Sequence, residues 1–267
     1  MNKPRTFPDL TKAPLSFVLC QVKFSPVPKM DEAMLGEIFA RLRKAGFPDD
    51  LSGEIKQVII LHPGMLPQES TVKLQEYRSA DGAWALNVSR DQVAIFTTKY
   101  THFGELWTKL EDALRIVSEV AELGVGTTKR VGLRMIDVIN PKDGESWKNY
   151  LKPHFAGLDS SKLDGDKQRI YLEFVSPSEN GTFVLKILQN SQDMHIPPDI
   201  MMLQPMPKAH QDTAGRDITL LDSDHFWEGS VPFGIDTIKD RLAKLHEDMN
   251  AIWFDDIISE TALKTWT

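Results

Sequence analysis

The chain has one cysteine, Cys20, in 267 residues. A lone thiol cannot close an intramolecular disulfide or build a thiolate metal cluster, which fits a reducing, cytoplasmic setting. Cys20 lies inside "SFVLCQVKF", an apolar stretch that predicts a buried, inert thiol. No apolar run approaches the ~20 residues that a membrane helix requires. The opening "MNKPRTFPDLTKAP" carries basic residues with no apolar segment behind them, so no secretory signal is expected. Positive charge is also scarce: 31 Lys and Arg stand against 38 Asp and Glu, a net charge of −7. General nucleic-acid binding needs cations to neutralise phosphates, so this balance argues against it.

Familiar chemical motifs are missing as well. "GVGTTK" (124–129) lacks the spacing of a phosphate loop and runs from helix to strand, the reverse of the required order. "LDGDKQRIYLE" has oxygen ligands out of register for a calcium loop. Neither H-E-x-x-H nor G-x-S-x-G occurs. No catalytic, metal or cofactor set is therefore expected. Of the seven histidines, His195, His210 and His225 fall near Asp193, Asp199, Asp212, Asp222 and Asp224. These are ligand types without ligand spacing, and solvated loop residues are the alternative reading. His102, just before a helix, reads as a cap.

What is present describes a folded globular chain, 41% hydrophobic and 26% charged. Residues 1–14 read as an extended arm and 15–267 as a single α+β domain. "LSFVLCQVKF" (15–24) is apolar on both faces at its start, as a central strand would be. Asp31 can cap a helix over 32–45 that stops at Gly46. A strand over 54–61 and a meander with Asp81-Gly82 at one turn follow. In "THFGELWTKLEDALRIVSEVAELG", Phe103, Leu106, Leu110, Leu114 and Val117 form one stripe of a long helix. After the strand 129–140 come a short helix over 147–155, a hairpin turning at Asn180-Gly181, and a long loop over 190–215. A strand "DITLLDSD" and a last long helix, with Ile235, Ile238, Leu242, Leu245 and Met249 in phase, close the chain. These elements predict an antiparallel sheet backed by two long helices. Their order recurs over 15–124 and 129–258, as a degenerate internal duplication would produce; chance reuse of a common order would do the same. In a duplication the strands 15–24 and 129–139 would be equivalent and lie near a pseudo-twofold axis.

Two segments invite a functional reading. In "KRVGLRMIDVIN" (129–140) one strand face carries Arg130, Gly132 and Arg134. Residues four apart on a strand lie about 13 Å apart. With bare backbone between two guanidiniums, the face could hold a carboxylate, a phosphate or an acidic side chain. Alternatively the arginines pair with acids such as Glu76 or Glu173, and Gly132 admits an aromatic such as Trp84. The loop contributes Met194, Met201, Met202 and Met206 beside Ile200 and Leu203. Methionine suits surfaces that repack on a partner; covering one end of the core is the alternative.

"PLSFVLCQVKF", "WALNVSRDQVAIFTTKYTHFGELW" and "RVGLRMIDVIN" resemble an uncharacterised prokaryotic family of about this length, known for its sporadic distribution. Where members carry an aromatic after the second arginine and an asparagine two further on, this chain has Met135 and Asp137. The family has no assigned activity and so implies no catalytic residue. Its patchy distribution implies an accessory gene, such as those of mobile elements or anti-phage defence. The expected function is a non-catalytic cytoplasmic interaction or regulatory protein, with a protein partner or self-association. An enzyme or sensor for a small anionic ligand at Arg130 and Arg134 is the alternative.

Overall fold

Strand β1 (Leu15–Phe24) alternates wholly buried Val18, Cys20 and Val22 with residues of a second, shallower face, and the computed structural model places it near the middle of a nine-stranded sheet. The structure describes residues 7–8, 10–59, 68–123, 126–142, 144–155, 157, 162, 169–189, 197 and 218–267, the side chains of 54–59 and 68–74 excepted. Its other strands are β2 (Asp49–Asp50), β3 (Gly53–Ile59), β4 (Gln68–Leu74), β5 (Glu76–Arg78), β6 (Trp84–Ser89), β7 (Gln92–Thr97), β8 (Thr127–Ile139), β9 (Ile170–Pro177), β10 (Thr182–Gln189) and β11 (Thr219–Pro232). The main sheet runs β2-β5-β6-β7-β1-β8-β11-β10-β9, and β3 and β4 form a separate hairpin. Every pairing in it is antiparallel. β1 and β8 lie side by side.

The helices are α1 (Glu32–Lys44), α2 (Phe103–Ala121), α3 (Ile235–Ile252) and α4 (Glu260–Trp266). Asp31 caps α1 by accepting from the Met34 amide at 3.0 Å. His102 caps α2, its Nδ1 accepting from the Glu105 amide at 3.2 Å, in the role its position predicts. Ile38 and Leu42 of α1, Leu106, Leu110 and Leu114 of α2, and Ile238, Leu242 and Leu245 of α3 share one buried cluster with Val22, Ile95, Val131 and Leu133 of the sheet. Burying such a side chain contributes roughly 1.5–3 kcal/mol. The opposite sheet face has a smaller cluster, Phe17, Ala85, Phe96, Ile136 and Leu220. None of the described helices is long and apolar enough to cross a membrane.

Two elements depart from expectation. Residues 147–155 form two short 3-10 turns, Trp147–Asn149 and Pro153–Phe155, rather than one helix. Pro153 disfavours helical backbone at Lys152 and has no N–H to continue a helix. Leu151 between the turns bridges Ile258 instead. The strand expected to stop at 224 continues to Pro232. A bulge between Glu228 and Val231 absorbs Gly229 and Ser230, and pairing with β8 resumes at Val231.

Candidate functional site

β8 is flanked by β1 and β11, and the register decides the fate of its arginines. Across from Arg130, Gly132 and Arg134 on β11 stand Glu228, Phe226 and Asp224, with Asp222 one pair further along the same face. Arg134 grips Asp222 with both forks, Nε to Oδ1 and Nη2 to Oδ2, each at 2.7 Å. Arg130 donates to Glu228 at 3.0 Å and to Asp224 at 3.2 Å, and its guanidinium carbon lies 3.6 Å from the centre of the Phe226 ring. Gly132 lies beside this stack: a Cβ at position 132 would meet the Phe226 Cβ tightly at 3.3 Å and the Arg130 Nε at 3.4 Å. Burial raises the Asp224 pKa, while the charges of Arg130 and Arg134 oppose the rise.

The partners come from different residues than the sequence suggested. Glu173 pairs with Lys186 at 3.6 Å and Glu76 with Arg78 at 3.1 Å. Trp84 packs in the cluster shared with the helices, and Phe226 is the aromatic against Gly132. Both guanidiniums thus already hold carboxylates. An incoming anion at Arg130, Gly132 and Arg134 would have to displace Asp222, Asp224 or Glu228.

His225, on the other face of β11, is wholly buried. Its Nδ1 lies 3.1 Å from the Leu245 carbonyl and its Nε2 2.8 Å from the Ser178 Oγ. A carbonyl can only accept, so Nδ1 carries the proton and Nε2 accepts from the serine hydroxyl. Burial holds the His225 pKa below its ordinary value. The pair has the arrangement of a serine and its general base, but the same Oγ accepts from the Gly181 amide at 3.0 Å and brackets the β9–β10 turn. With both ring nitrogens engaged, His225 is not placed to ligate a metal. His195 and His210, with Asp193, Asp199 and Asp212, lie outside the described residues, as do Met194, Met201, Met202 and Met206. Cys20 is buried, and burial pushes its thiol far above the ordinary value.

The sequence assigned no role to Asp137. It sits on the helix-facing side of β8, buried among apolar neighbours, and accepts a hydrogen bond from the Trp253 indole N–H at 3.0 Å. Burial pushes its carboxyl up to about 7, against the pull of that hydrogen bond. It lines a cavity of about 110 Å³ bounded by the arm, β8, β11 and the end of α3. The signal was an acid among Val131, Leu133, Met135 and Ile139 on an otherwise apolar strand face.

At one margin of the sheet, β9 pairs with β10 alone among the described residues. It exposes Tyr171, Phe174 and Val175 at 60%, 42% and 66%. The chain matches no protein-family model and no curated protein.

Proposed function

We propose that the chain is a non-catalytic interaction protein of the cytoplasm that receives an extended segment of a protein partner along the outer edge of β9. The observation that carries this reading is the exposure of Tyr171, Phe174 and Val175 on a margin strand. Natural sheet margins are commonly guarded by lysine, central proline or bulges. β9 has Glu173 as its one charge, already paired with Lys186, and its proline stands at the very end. An added strand would gain main-chain hydrogen bonds, and its alternate side chains would meet the exposed apolar ones.

The sheet as a layer backed by two long helices, and the degenerate duplication of 15–124 and 129–258, belong to the same proposal. The antiparallel neighbours β1 and β8, and the buried stripes of α2 and α3, support it. An enzyme or sensor holding an anion at Arg130 and Arg134 ranks second, because three carboxylates already occupy those guanidiniums.

The test compares tagged full-length wild type with Val175→Lys, purified from host cells. A stoichiometric protein that accompanies the wild type and is lost from the variant, with equal thermal melts, is the expected result. A wild-type dimer that Val175→Lys dissociates would make the partner a second copy. Retention of the same partner by both proteins would overturn the β9 reading, and a small anion released on denaturation would favour the second.

A further inference from the structure

The cavity beside Asp137 has a composition that its surroundings do not explain. Its walls include Leu15, Met135, Met249 and Phe254, and the arm residues Leu10 and Pro14 form one side. The arm is held by hydrogen bonds from the Lys12 amide to the Trp266 carbonyl at 3.0 Å, from the Thr11 hydroxyl to the Thr267 carbonyl at 2.9 Å, and from the Val138 amide to the Pro14 carbonyl at 2.9 Å. Phe7 stacks on Phe254, with ring centres 4.9 Å apart.

Into this apolar space face three polar groups. Asp137 has one hydrogen-bond donor, the Trp253 indole. Ser223, 2% exposed, has a hydroxyl with no hydrogen-bond partner. The Asn250 amide nitrogen lies against the His246 ring, 3.2 Å from Nε2, and its carbonyl oxygen is able to accept. No Lys, Arg or His is among the described residues lining the cavity. On α3, Asn250 in turn contacts His246, whose pKa burial holds down to about 4, so that imidazole brings no charge near neutral pH. A buried carboxyl and an unsatisfied buried hydroxyl each carry a desolvation cost that a matching donor would offset.

We propose that this cavity is a binding site for a small primary amine with an apolar body, its ammonium donating to the Asp137 carboxylate, the Ser223 hydroxyl and the Asn250 carbonyl. An ammonium has three donors and no acceptor, which matches three acceptors and a missing counter-charge. The volume sets the body's size. An apolar cavity of about 150 Å³ takes a benzene ring, so about 110 Å³ accommodates roughly five non-hydrogen atoms. Because the empty site holds the Asp137 proton up to about 7, the ammonium must displace that proton, and affinity should rise about tenfold between roughly pH 6 and 8.

Isobutylamine is the probe, with isobutanol as its neutral and isobutyrate as its anionic counterpart. Each is titrated into 15N-labelled full-length protein while the Trp253 indole N–H resonance is followed, assigned by comparison with Trp253→Phe. The expected result is a saturable shift with the amine, a much weaker one with the alcohol and none with the acid. In Asp137→Asn the amine affinity should fall at least tenfold. Ser223→Val should lower it several-fold, and this variant carries the test if Asp137→Asn does not fold. Equal binding of alcohol and amine, amine binding undiminished in the folded variants, or no saturable shift with the wild type would each overturn the proposal.

Discussion

Replacing Arg134 with glutamine should destabilise the protein far more than the same change at Arg130. The Asp222 side chain is 2% exposed, and Arg134, itself 13% exposed, grips both its oxygens at 2.7 Å. Glutamine cannot supply the charge or the fork, so Asp222 would remain as a buried carboxylate short of its counter-ion. Breaking a buried pair from one side costs about 3–5 kcal/mol. Native stability is only about 5–15 kcal/mol, and in a large domain each kcal/mol moves the melting temperature by roughly 2–4 °C. Arg134→Gln should therefore lower it by about 6–20 °C. The partners of Arg130 are wetter, Asp224 at 27% and Glu228 at 63%. Exposed ion pairs contribute about 0–1 kcal/mol, and the lost stacking on Phe226 adds about as much. Arg130→Gln should thus cost roughly 1–2 kcal/mol. The double variant Arg134→Gln/Asp222→Asn removes the stranded charge and should recover much of the loss. Denaturant unfolding of the four proteins is the assay. A cost below about 1 kcal/mol for Arg134→Gln, on a scale where typical buried pairs cost several times that, would refute the reasoning and reopen the arginines as a ligand site.

Asp137→Asn should change how stability depends on pH. The carboxyl ordinarily titrates near 3.8 and in the folded protein near 7. Its contribution is full below pH 3.8 and declines as pH rises through about 7, because the unfolded chain releases a proton that the folded one retains. At about 1.4 kcal/mol per pH unit the decline reaches about 4 kcal/mol. The variant should match the wild type near pH 4 and exceed its stability at pH 8 by up to that amount; parallel pH profiles would refute this. Gly181→Ala should cost about 1–3 kcal/mol by overpacking, since its Cβ would fall 2.2 Å from the Phe226 carbonyl oxygen. Unchanged denaturant midpoints would show that the β9–β10 turn shifts freely.

The periodic elements were legible in sequence because their signals are local. The stripes of α2 and α3, the Asp31 cap and the alternation of Val18, Cys20 and Val22 rest on residues a few positions apart. The arginine face was legible only in kind. That Arg130 and Arg134 could pair with acids followed from chemistry, but the acids lie on β11, about ninety residues onward, and only strand order and register select them. The second half of that strand, and with it Phe226 as the aromatic against Gly132, lies beyond the end expected at Asp224. Asp137 was visible as an acid on an apolar face, yet its cavity needs the arm and the end of α3, which no local pattern brings together.

The pairing of β1 with β8 has a kinetic consequence. Strands β2, β5, β6, β7 and β1 come from residues 15–97, and β8, β11, β10 and β9 from residues 127–232. The sheet is therefore two contiguous blocks joined along one seam, at which Val18, Cys20 and Val22 meet Met135, Leu133 and Val131. Until that seam closes, each block presents an unpaired apolar margin, and its closure is a long-range step of the kind that slows folding. During synthesis the first block waits with β1 uncovered until β8 emerges, and in crowded refolding β1 of one copy can capture β8 of another. The same seam would let two separately produced halves find each other and rebuild the sheet.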